Sequence, residues 1–486
     1  MLFNSLNFAI FLPVVFIGYW LVSKSRLRLQ NILLLAASYF FYASWDYRFL
    51  FLLIFSTLLD YYTGLRMYDA KNIHQKRFWF WLSICVNLGF LGVFKYYNFF
   101  AASFVNFLSP FGIKASFTTL KVILPVGISF YTFHGLSYVI DIYKGKIKPE
   151  KNLIDYSVFV SFFPLLVAGP IERATHLLPQ LKRERVFDNY KAADGLRQIL
   201  WGLFKKIVIA DNAAKFADAI FNNHTIDSGS TLLLGAFFFA IQIYCDFSGY
   251  SDIAIGTARL FGIDLLRNFA FPYFSRDIAE FWRRWHISLS SWFRDYLYIP
   301  LGGSKSGTWM KVRNTFVIFL VSGFWHGANW TFIIWGLLNA LYIMPSVLLK
   351  TNRNNLDIVA QGRILPNFKE FFSILITFFL TVIAWIFFRS DNLGHAFSYT
   401  AKIFSGSLFS LPQGSRFLVE NISVYAMSFL IAIFLLIEWL GREQQYAIAK
   451  INRIWPTPAR WAFYYSLILC LFYFAGVQQQ FIYFQF

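Results

Sequence analysis

Long apolar runs separated by short polar segments organise this chain. They occur near residues 3–23, 31–45, 48–63, 78–101, 119–143, 196–220, 231–256, 312–348, 368–388, 422–440 and 461–483. A helix of about 20 apolar residues crosses the roughly 30 Å of hydrocarbon in a bilayer, and most of these runs approach that length. With no internal repeat or long linker, the pattern predicts an all-α polytopic membrane protein in one domain over residues 1–486, with roughly eleven or more transmembrane helices.

Composition supports the membrane class. Hydrophobic residues make up 57% of the chain and charged residues 14%, against about 25% charged residues in soluble proteins, so a water-soluble globule is excluded. The net charge of +19 sits in short runs between apolar segments, which indicates loops beside anionic lipid rather than a nucleic-acid surface. Three widely spaced cysteines predict neither a disulfide framework nor a metal site.

The positive loops predict the orientation of the first spans. Basic residues cluster at 24–28, 64–77 and 144–151, and such clusters stay in the cytoplasm, so the N-terminus is expected outside. The first apolar run has no basic stretch before it and no small-residue cleavage site after it, so we interpret it as a retained span.

The segment 157–173 is apolar but interrupted. It contains Pro164 and the pair Gly169-Pro170, and positive loops lie on both sides of it. Irregular backbone at membrane depth is tolerated where it is buried in protein or lines a cavity. We therefore expect a re-entrant segment that helps to form an internal chamber.

Residues 276–305 are aromatic and helix-compatible but too charged to face lipid, so we expect them at the interface or dipping into the bundle. Glu280 precedes Arg283 and Arg284 by three and four residues, a spacing that pairs charges on one helix face. Four residues would lie on another face of the predicted helix: Trp285, Ser288, Trp292 and Asp295. We interpret this face as a packing surface on which Asp295 pairs with a nearby arginine.

The candidate catalytic residue with the strongest local signal is His326, in VSGFWHGANWTFIIWG (321–336). An ionisable side chain in so apolar a segment is a functional hypothesis by default. On a continuous helix Asn329 and Trp330 would lie beside the imidazole, which could act as a general base. The alternative is a structural histidine hydrogen-bonded across two helices.

A second histidine, His286, lies forty residues earlier, an interval that allows a loop and a return helix to bring the two together. The alternative is an interfacial histidine in a polar helix. Other ionisable residues in apolar runs suggest proton relay or ligand binding, although helix-to-helix bonding is the favoured interpretation for each one singly. They are His134, Asp141, Asp246 and Asp252.

Motifs of several common enzyme classes are missing from the sequence. It contains no GxxxxGK[ST] loop, no GxGxxG, no HExxH and no GxSxG. Nucleotide hydrolysis, zinc proteolysis and serine hydrolase chemistry are therefore unsupported.

Four stretches carry a resemblance to a known family: MLFNSLNFAIFLPVVFIGYW, PVGISFYTFHGLSYVIDIY, FWRRWHISLSSWFRDYLYIPLGG and FWHGANWTFIIWG. The chain resembles the membrane-bound O-acyltransferases, in the branch that includes the membrane subunits of bacterial alginate O-acetyltransferases. The resemblance implies a central tunnel and transfer of an acyl group, acetyl in this branch. The donor would be cytoplasmic acetyl-CoA, with no bound cofactor, and the acceptor an extracytoplasmic polysaccharide such as alginate.

The resemblance also assigns roles. The family's two motif residues match His326 and His286 as catalytic residues, and we add as supporting residues Asn329, Trp325, Trp285 and Asp295. It further implies a separate extracytoplasmic partner of serine hydrolase-like type and a multi-pass location in the bacterial cytoplasmic (inner) membrane. Two alternatives stay open: transfer of D-alanine or another acyl group to a cell-wall polymer, and a glycolipid transporter or flippase, which the missing repeat disfavours.

Overall fold

The computed structural model describes residues 1–22, 26–112, 124–167, 169–305, 307–412, 418–419, 422–476, 479, 481 and 482. Their regular structure is almost entirely helical, which confirms the all-α prediction. Two strands of two residues each, β1 (Leu418–Val419) and β2 (Ile422–Ser423), pair antiparallel with Leu418 opposite Ser423. The chain forms two compact units, Met1–Gly195 with Thr257–Leu266, and Leu196–Gly256 with Arg267–Phe486. A single functional domain stays a prediction.

The first unit contains nine helices within the described residues and the beginning of a tenth. They are α1 (Leu6–Leu21), α2 (Leu27–Ala43), α3 (Tyr47–Tyr68), α4 (Ile73–Leu91), α5 (Tyr97–Leu108), α6 (Ile128–Tyr143), α7 (Leu153–Ser161), α8 (Phe163–Leu166), α9 (Ala174–Leu181) and α10 (Asn189–Leu203). A π-helical turn, Gly92–Tyr96, joins α4 to α5, and a 3-10 turn, Ser109–Phe111, follows α5. Helix α3 packs against α4 and α6, and α2 packs against α7.

The predicted interruption in 157–173 is confirmed. Helix α7 ends at Ser161 because Phe162 leaves the helical region, with φ −53° and ψ 115°. Pro164 then occupies the first turn of α8, where its missing N–H costs no helical hydrogen bond. The residues around this break are buried, as irregular backbone at membrane depth requires. Entry and exit on the same face stay a prediction.

The second unit contains the end of α10 and the remaining helices. They are α11 (Asp211–Phe221), α12 (Gly229–Leu260, which the first unit completes), α13 (Ile278–Arg284), α14 (Ile287–Phe293), α15 (Gly307–His326), α16 (Trp330–Leu348), α17 (Phe368–Arg389), α18 (Leu393–Ile403), α19 (Val424–Leu440), α20 (Ile451–Ile454) and α21 (Thr457–Phe474). Phe204–Ala210 and Arg294–Tyr298 are π-helical, and Pro272–Phe274 and Gly406–Phe409 are 3-10 turns.

The apolar run near 312–348 is two helices, which corrects its prediction as one segment. Helix α15 ends at His326, and α16 begins after Asn329, whose side chain accepts a hydrogen bond from the N–H of Thr331. An asparagine at this position satisfies an N–H group that has no partner within the helix. The chain therefore reverses direction immediately after the candidate catalytic histidine.

Two glycines let α15 and α16 approach closely. A Cβ atom on Gly323 would lie 2.2 Å from the carbonyl oxygen of Phe332, and one on Gly336 would lie 2.3 Å from that of Phe319. Contacts this short leave no room for a side chain, so backbone packs directly on backbone, as in small-residue helix pairs of membranes. This crossing fixes the position of the C-terminal turn of α15.

Among the described residues, five helical stretches are long and apolar enough to cross a membrane. They are Tyr47–Tyr68, Ile73–Phe111, Gly229–Leu260, Trp330–Leu348 and Phe368–Arg389, with shorter apolar helices at Leu6–Leu21 and Val424–Leu440. The polytopic helical class follows from them, and the count of eleven or more crossings stays a prediction. Parts of the predicted runs 3–23, 119–143 and 461–483, and the loop residue Lys24, lie outside the described residues.

Candidate active site

His326 lies at the C-terminal end of α15 inside a cage of aromatic rings. Its side chain is buried, and its ring centroid is 4.8 Å from that of Trp325, 5.0 Å from that of Trp335 and 5.3 Å from that of Phe388. Aromatic rings at these distances exclude bulk water and hold the imidazole in place. The structure therefore places a buried histidine among aromatic rings, as its apolar sequence context predicted.

The predicted neighbours of His326 are wrong in their helical spacing. Because α15 ends at His326, Asn329 and Trp330 are not one turn further along the same helix. Asn329 instead caps α16, and its Nδ2 donates to the backbone oxygen of Asp391 at 2.8 Å, while 52% of Trp330 is exposed. A supporting role for Asn329 stays a prediction. The residue would act by holding the turn that follows His326.

His286 occupies a break between two short helices. Trp285 caps the C-terminal end of α13. His286 then adopts the left-handed conformation, with φ 43° and ψ 55°, before α14 begins. Such a conformation costs a non-glycine residue about 1–3 kcal/mol and is concentrated at functional sites. The predicted continuous face from Trp285 to Asp295 is therefore wrong, because the chain turns at His286 and becomes π-helical at Arg294–Tyr298.

A buried asparagine holds this break. The Nδ1 atom of His286 lies 3.0 Å from Oδ1 of Asn268, and the backbone oxygen of Asn268 accepts from the N–H of Ile287 at 2.9 Å. Burial lowers the pKa of His286 to about 3, so the imidazole is neutral at pH 7. Asn268 was missed at the sequence level, because it lies in an irregular segment with no motif around it.

The two histidines share one aromatic wall. The ring of Trp325 is 6.2 Å from that of His286 and 4.8 Å from that of His326. The expected return of the chain between positions 286 and 326 is thus confirmed. Trp285 joins the same cluster, because its ring lies 5.1 Å from that of Trp385, which packs against the cage.

Asp295 is partly exposed, whereas both histidines are buried. Its carboxylate pairs with Arg294 at 2.8 Å, and 29% of its side chain is exposed. The interpretation of an acid held by a nearby arginine is confirmed, whereas a supporting role in catalysis stays a prediction.

Buried ion pairs cross-link the helices of the second unit. Asp252 accepts from Lys205 at 2.5 Å, and Asp246 accepts from Lys206 at 2.8 Å. The favoured interpretation of both acids as helix-to-helix partners is confirmed. Neither lysine was predicted from the sequence, nor was Glu438, which accepts a hydrogen bond from the hydroxyl of Tyr244 at 2.6 Å. A cavity of about 20 Å³ is lined by Lys205, Asp252 and Glu438 and borders Asn268.

His134 and Asp141 belong to the first unit. The Nε2 atom of His134 accepts a hydrogen bond from the N–H of Glu172 at 3.1 Å, and Asp141 pairs with Lys146 at 3.2 Å. The Glu172 carboxylate also accepts from His176 at 2.7 Å, and this hydrogen bond raises the pKa of His176. These contacts support the interpretation of His134 and Asp141 as structural.

A basic pocket opens at the opposite end of α15 and α16 from His326. It measures about 490 Å³ and is lined by Ser290, Arg294, Tyr298, Ser304, Lys311, Thr315, Ile318, Phe319, Ile343, Val347, Lys350, Asn352 and Arg353. Among the residues that the structure describes, the lining combines four cations with an apolar wall and includes no carboxylate. Such a lining suits a ligand that carries phosphate groups at one end and an apolar or weakly polar chain at the other.

The pocket approaches the histidines along two of its walls. Ser290 follows His286 by four residues, about one turn of α14. On the other wall, the ring of Phe319 lies 5.3 Å from that of Trp282. Trp282 in turn lies 5.7 Å from Trp335 of the cage.

The charged residues of α13 anchor the loop that completes the pocket. Glu280 pairs with Arg284 at 2.7 Å, as predicted, and also with Arg276 at 3.0 Å. Arg283 does not take the predicted partner. It donates to the backbone oxygens of Asn352 and Asn355 at 2.6 and 2.7 Å, because the loop carbonyls reach its side of the helix.

The described residues contain no group of three or more metal-ligating side chains.

Comparisons with known proteins agree with this geometry. The model of the membrane-bound O-acyltransferase family matches residues 150–388, a range that contains both histidines. The chain is 40% identical over 449 residues to a protein of Pseudomonas aeruginosa named probable alginate O-acetylase AlgI, covering 92% of this chain and 82% of that one. It is 39% identical over 426 residues to the peptidoglycan O-acetyltransferase of Helicobacter pylori, covering 82% and 78%.

A relative that matches less of the chain is named for the alternative activity, transfer of D-alanine. The chain is 31% identical over 229 residues to the teichoic acid D-alanyltransferase of Bacillus subtilis, which covers 44% of this chain and 57% of that one. The resemblance drawn from the four sequence stretches is therefore confirmed, and the D-alanyl alternative has weaker support. The chain belongs to the membrane-bound O-acyltransferase family, and it is an O-acyltransferase.

Proposed function

We propose that this enzyme moves an acetyl group from cytoplasmic acetyl-CoA toward an extracytoplasmic polysaccharide such as alginate, in the bacterial cytoplasmic membrane. The shared aromatic wall of His286 and His326 carries the proposal, because it brings two buried imidazoles to one cluster of aromatic rings. The names of the relatives with the broadest coverage support acetyl as the group and a polysaccharide as the acceptor. We extend the proposal to a single domain with eleven or more crossings around a central tunnel.

The basic pocket is the proposed entry for the donor. Coenzyme A carries several phosphates and a long flexible arm, which match the cations and the apolar wall of the pocket. Basic residues such as Lys311 and Arg353 favour the cytoplasmic side for this end of α15 and α16. Asp295 would support the site by orienting Arg294 at the pocket, through their ion pair.

In the proposed chemistry His326 is the general base. Its imidazole accepts the proton of the acceptor hydroxyl or thiol while that oxygen or sulfur bonds to the acyl carbon. The bond from this carbon to the sulfur of coenzyme A breaks, and the thiolate takes the proton from His326 to leave as the free thiol. His286 orients the donor or relays a proton, and the rings of Trp285 and Trp325 exclude water.

A separate extracytoplasmic protein of serine hydrolase-like type is proposed to complete the transfer to the polymer. Two of the turns at the His326 end of the helices are short: residues 327–329 join α15 to α16, and residues 390–392 join α17 to α18. Turns of three residues offer little surface for a polysaccharide, which favours a companion protein that binds and positions it.

Mass spectrometry of the extracellular glycans of the host tests this proposal. Glycans from cells with the intact gene should carry acetyl esters that are missing when the gene is deleted or carries His326→Ala. Loss of D-alanyl esters in their place would assign the enzyme to the teichoic acid branch. Unchanged glycan esters would contradict the proposal.

A further inference from the structure

The hydrogen bonds around Asn268 determine which ring nitrogen of His286 carries the proton. Oδ1 of Asn268 lies 3.4 Å from the backbone N–H of Ser288, which can only donate, so the oxygen of the amide must face this side. Nδ2 of the same amide donates to Oγ of Ser251 at 3.1 Å. The backbone N–H of Ser288 therefore sets the orientation of the Asn268 amide, and the hydroxyl of Ser251, which can accept or donate, is compatible with it.

That orientation acts directly on His286. Its Nδ1 atom faces Oδ1 of Asn268 at 3.0 Å, and an oxygen acceptor requires a donor opposite it. A neutral imidazole has one N–H group and one lone pair, so Nδ1 carries the hydrogen and Nε2 carries the lone pair. Nε2 is buried and makes no hydrogen bond to the part of the chain that the structure describes.

We propose that Asn268 is a positioning residue that holds His286 with its proton on Nδ1, so that Nε2 accepts a hydrogen bond or a proton from a bound reactant. Asn268 is fully buried, and it bonds both the side chain of His286 and the backbone N–H of Ile287. These bonds also stabilise the left-handed backbone of His286. The role is analogous to that of the partners that set the tautomer of metal-binding and catalytic histidines elsewhere.

This inference deepens the proposed function, and only its kinetic test rests on that function. The direct test is ¹⁵N NMR of the detergent-solubilised chain labelled at its seven histidines, with His286→Gln used to assign the signals. We expect Nδ1 of His286 to be protonated and Nε2 unprotonated at pH 7. A proton on Nε2 in the wild-type protein would overturn the proposal, whether or not the chain transfers acetyl.

The kinetic test compares three variants in donor turnover. Asn268→Leu should lower kcat by about 10- to 100-fold, as expected when a reacting group is misplaced. Asn268→Asp keeps an oxygen that accepts from Nδ1, so it should recover most of this loss. Asn212→Leu removes another buried asparagine, which donates to the backbone oxygens of Ile207 and Val208, and should stay within about threefold of wild type.

The outcomes separate a positioning role from a structural one. If Asn268→Leu keeps more than half of the wild-type kcat, or if Asn268→Asp is as impaired as Asn268→Leu while His286 keeps its proton on Nδ1, the positioning role is refuted. Absence of any donor turnover by the wild-type protein would count against the proposed function alone, and the NMR result would still decide the tautomer.

Discussion

The imidazole of His326 packs edge-to-face on the indole of Trp335, with ring centroids 5.0 Å apart and planes at 86°. The relationship is built by the reversal of the chain between α15 and α16, which brings the start of the second helix back over the end of the first. A ring edge directed at an aromatic face is a favoured geometry. The orientation of the histidine is therefore set by the crossing of the two helices.

The crossing should be sensitive to a single methyl group. Gly323→Ala would place a Cβ atom 2.2 Å from the carbonyl oxygen of Phe332, so the helices must separate and His326 must shift. We expect acyl transfer to fall by at least about tenfold and the melting temperature to fall. Gly89→Ala, at a glycine of α4 whose Cβ would meet nothing within 4 Å, is the matched control. Equal activity of both variants would show that the close crossing does not matter.

The basic pocket should control donor affinity rather than chemistry. Replacing Lys311 and Arg353 together by Ala should raise the apparent KM for acetyl-CoA by about tenfold at low salt and leave kcat within about twofold, because both cations line the pocket. Added salt should reduce the difference in KM between the double variant and the wild-type protein, because it screens the charges of the pocket. Arg453→Ala, an exposed cation outside this pocket, should leave KM unchanged. A fall in kcat with unchanged KM would contradict the assignment of the pocket to the donor.

Orientation can be measured by labelling introduced cysteines. A cysteine in place of Lys146, whose side chain is half exposed, should react with membrane-impermeant reagents from the cytoplasmic side only, since its loop is one of the positive clusters. Labelling from the outside only would overturn the proposed orientation. Labelling should be repeated in a chain lacking the exposed Cys85, so that the signal reports the new position.

Acetylation of the polymer should depend on the extracytoplasmic partner protein. In liposomes that contain acetyl-CoA inside and polysaccharide outside, the isolated chain should acetylate the polymer slowly or not at all. Adding the extracytoplasmic companion should restore transfer. Efficient polymer acetylation by the isolated chain would refute the division of labour, and the same liposomes with His326→Ala provide the background rate.

Sequence patterns predicted the class of fold and singled out the two histidines that share one aromatic wall, because apolar length and an ionisable residue in an apolar run are local signals. The catalytic roles of these histidines stay predictions. They did not predict the two helices within 312–348, since a turn of three residues leaves no polar gap, although the N-cap preference of Asn329 was a usable sign. They also missed Asn268, whose role depends on a left-handed residue 18 positions away. Contacts of that kind arise from tertiary structure and leave no periodicity.

Donor turnover by the two histidine variants, at matched protein level in the membrane, decides whether His326 is the catalytic base. His326→Ala should lower the rate by about 10² to 10⁴, the contribution of a positioned base, while expression and detergent stability stay near wild type. His286→Ala should weaken turnover and raise the apparent donor KM. If His326→Ala keeps more than half of the wild-type rate, the catalytic assignment is contradicted; if it fails to accumulate in the membrane, the structural interpretation of this histidine is favoured instead.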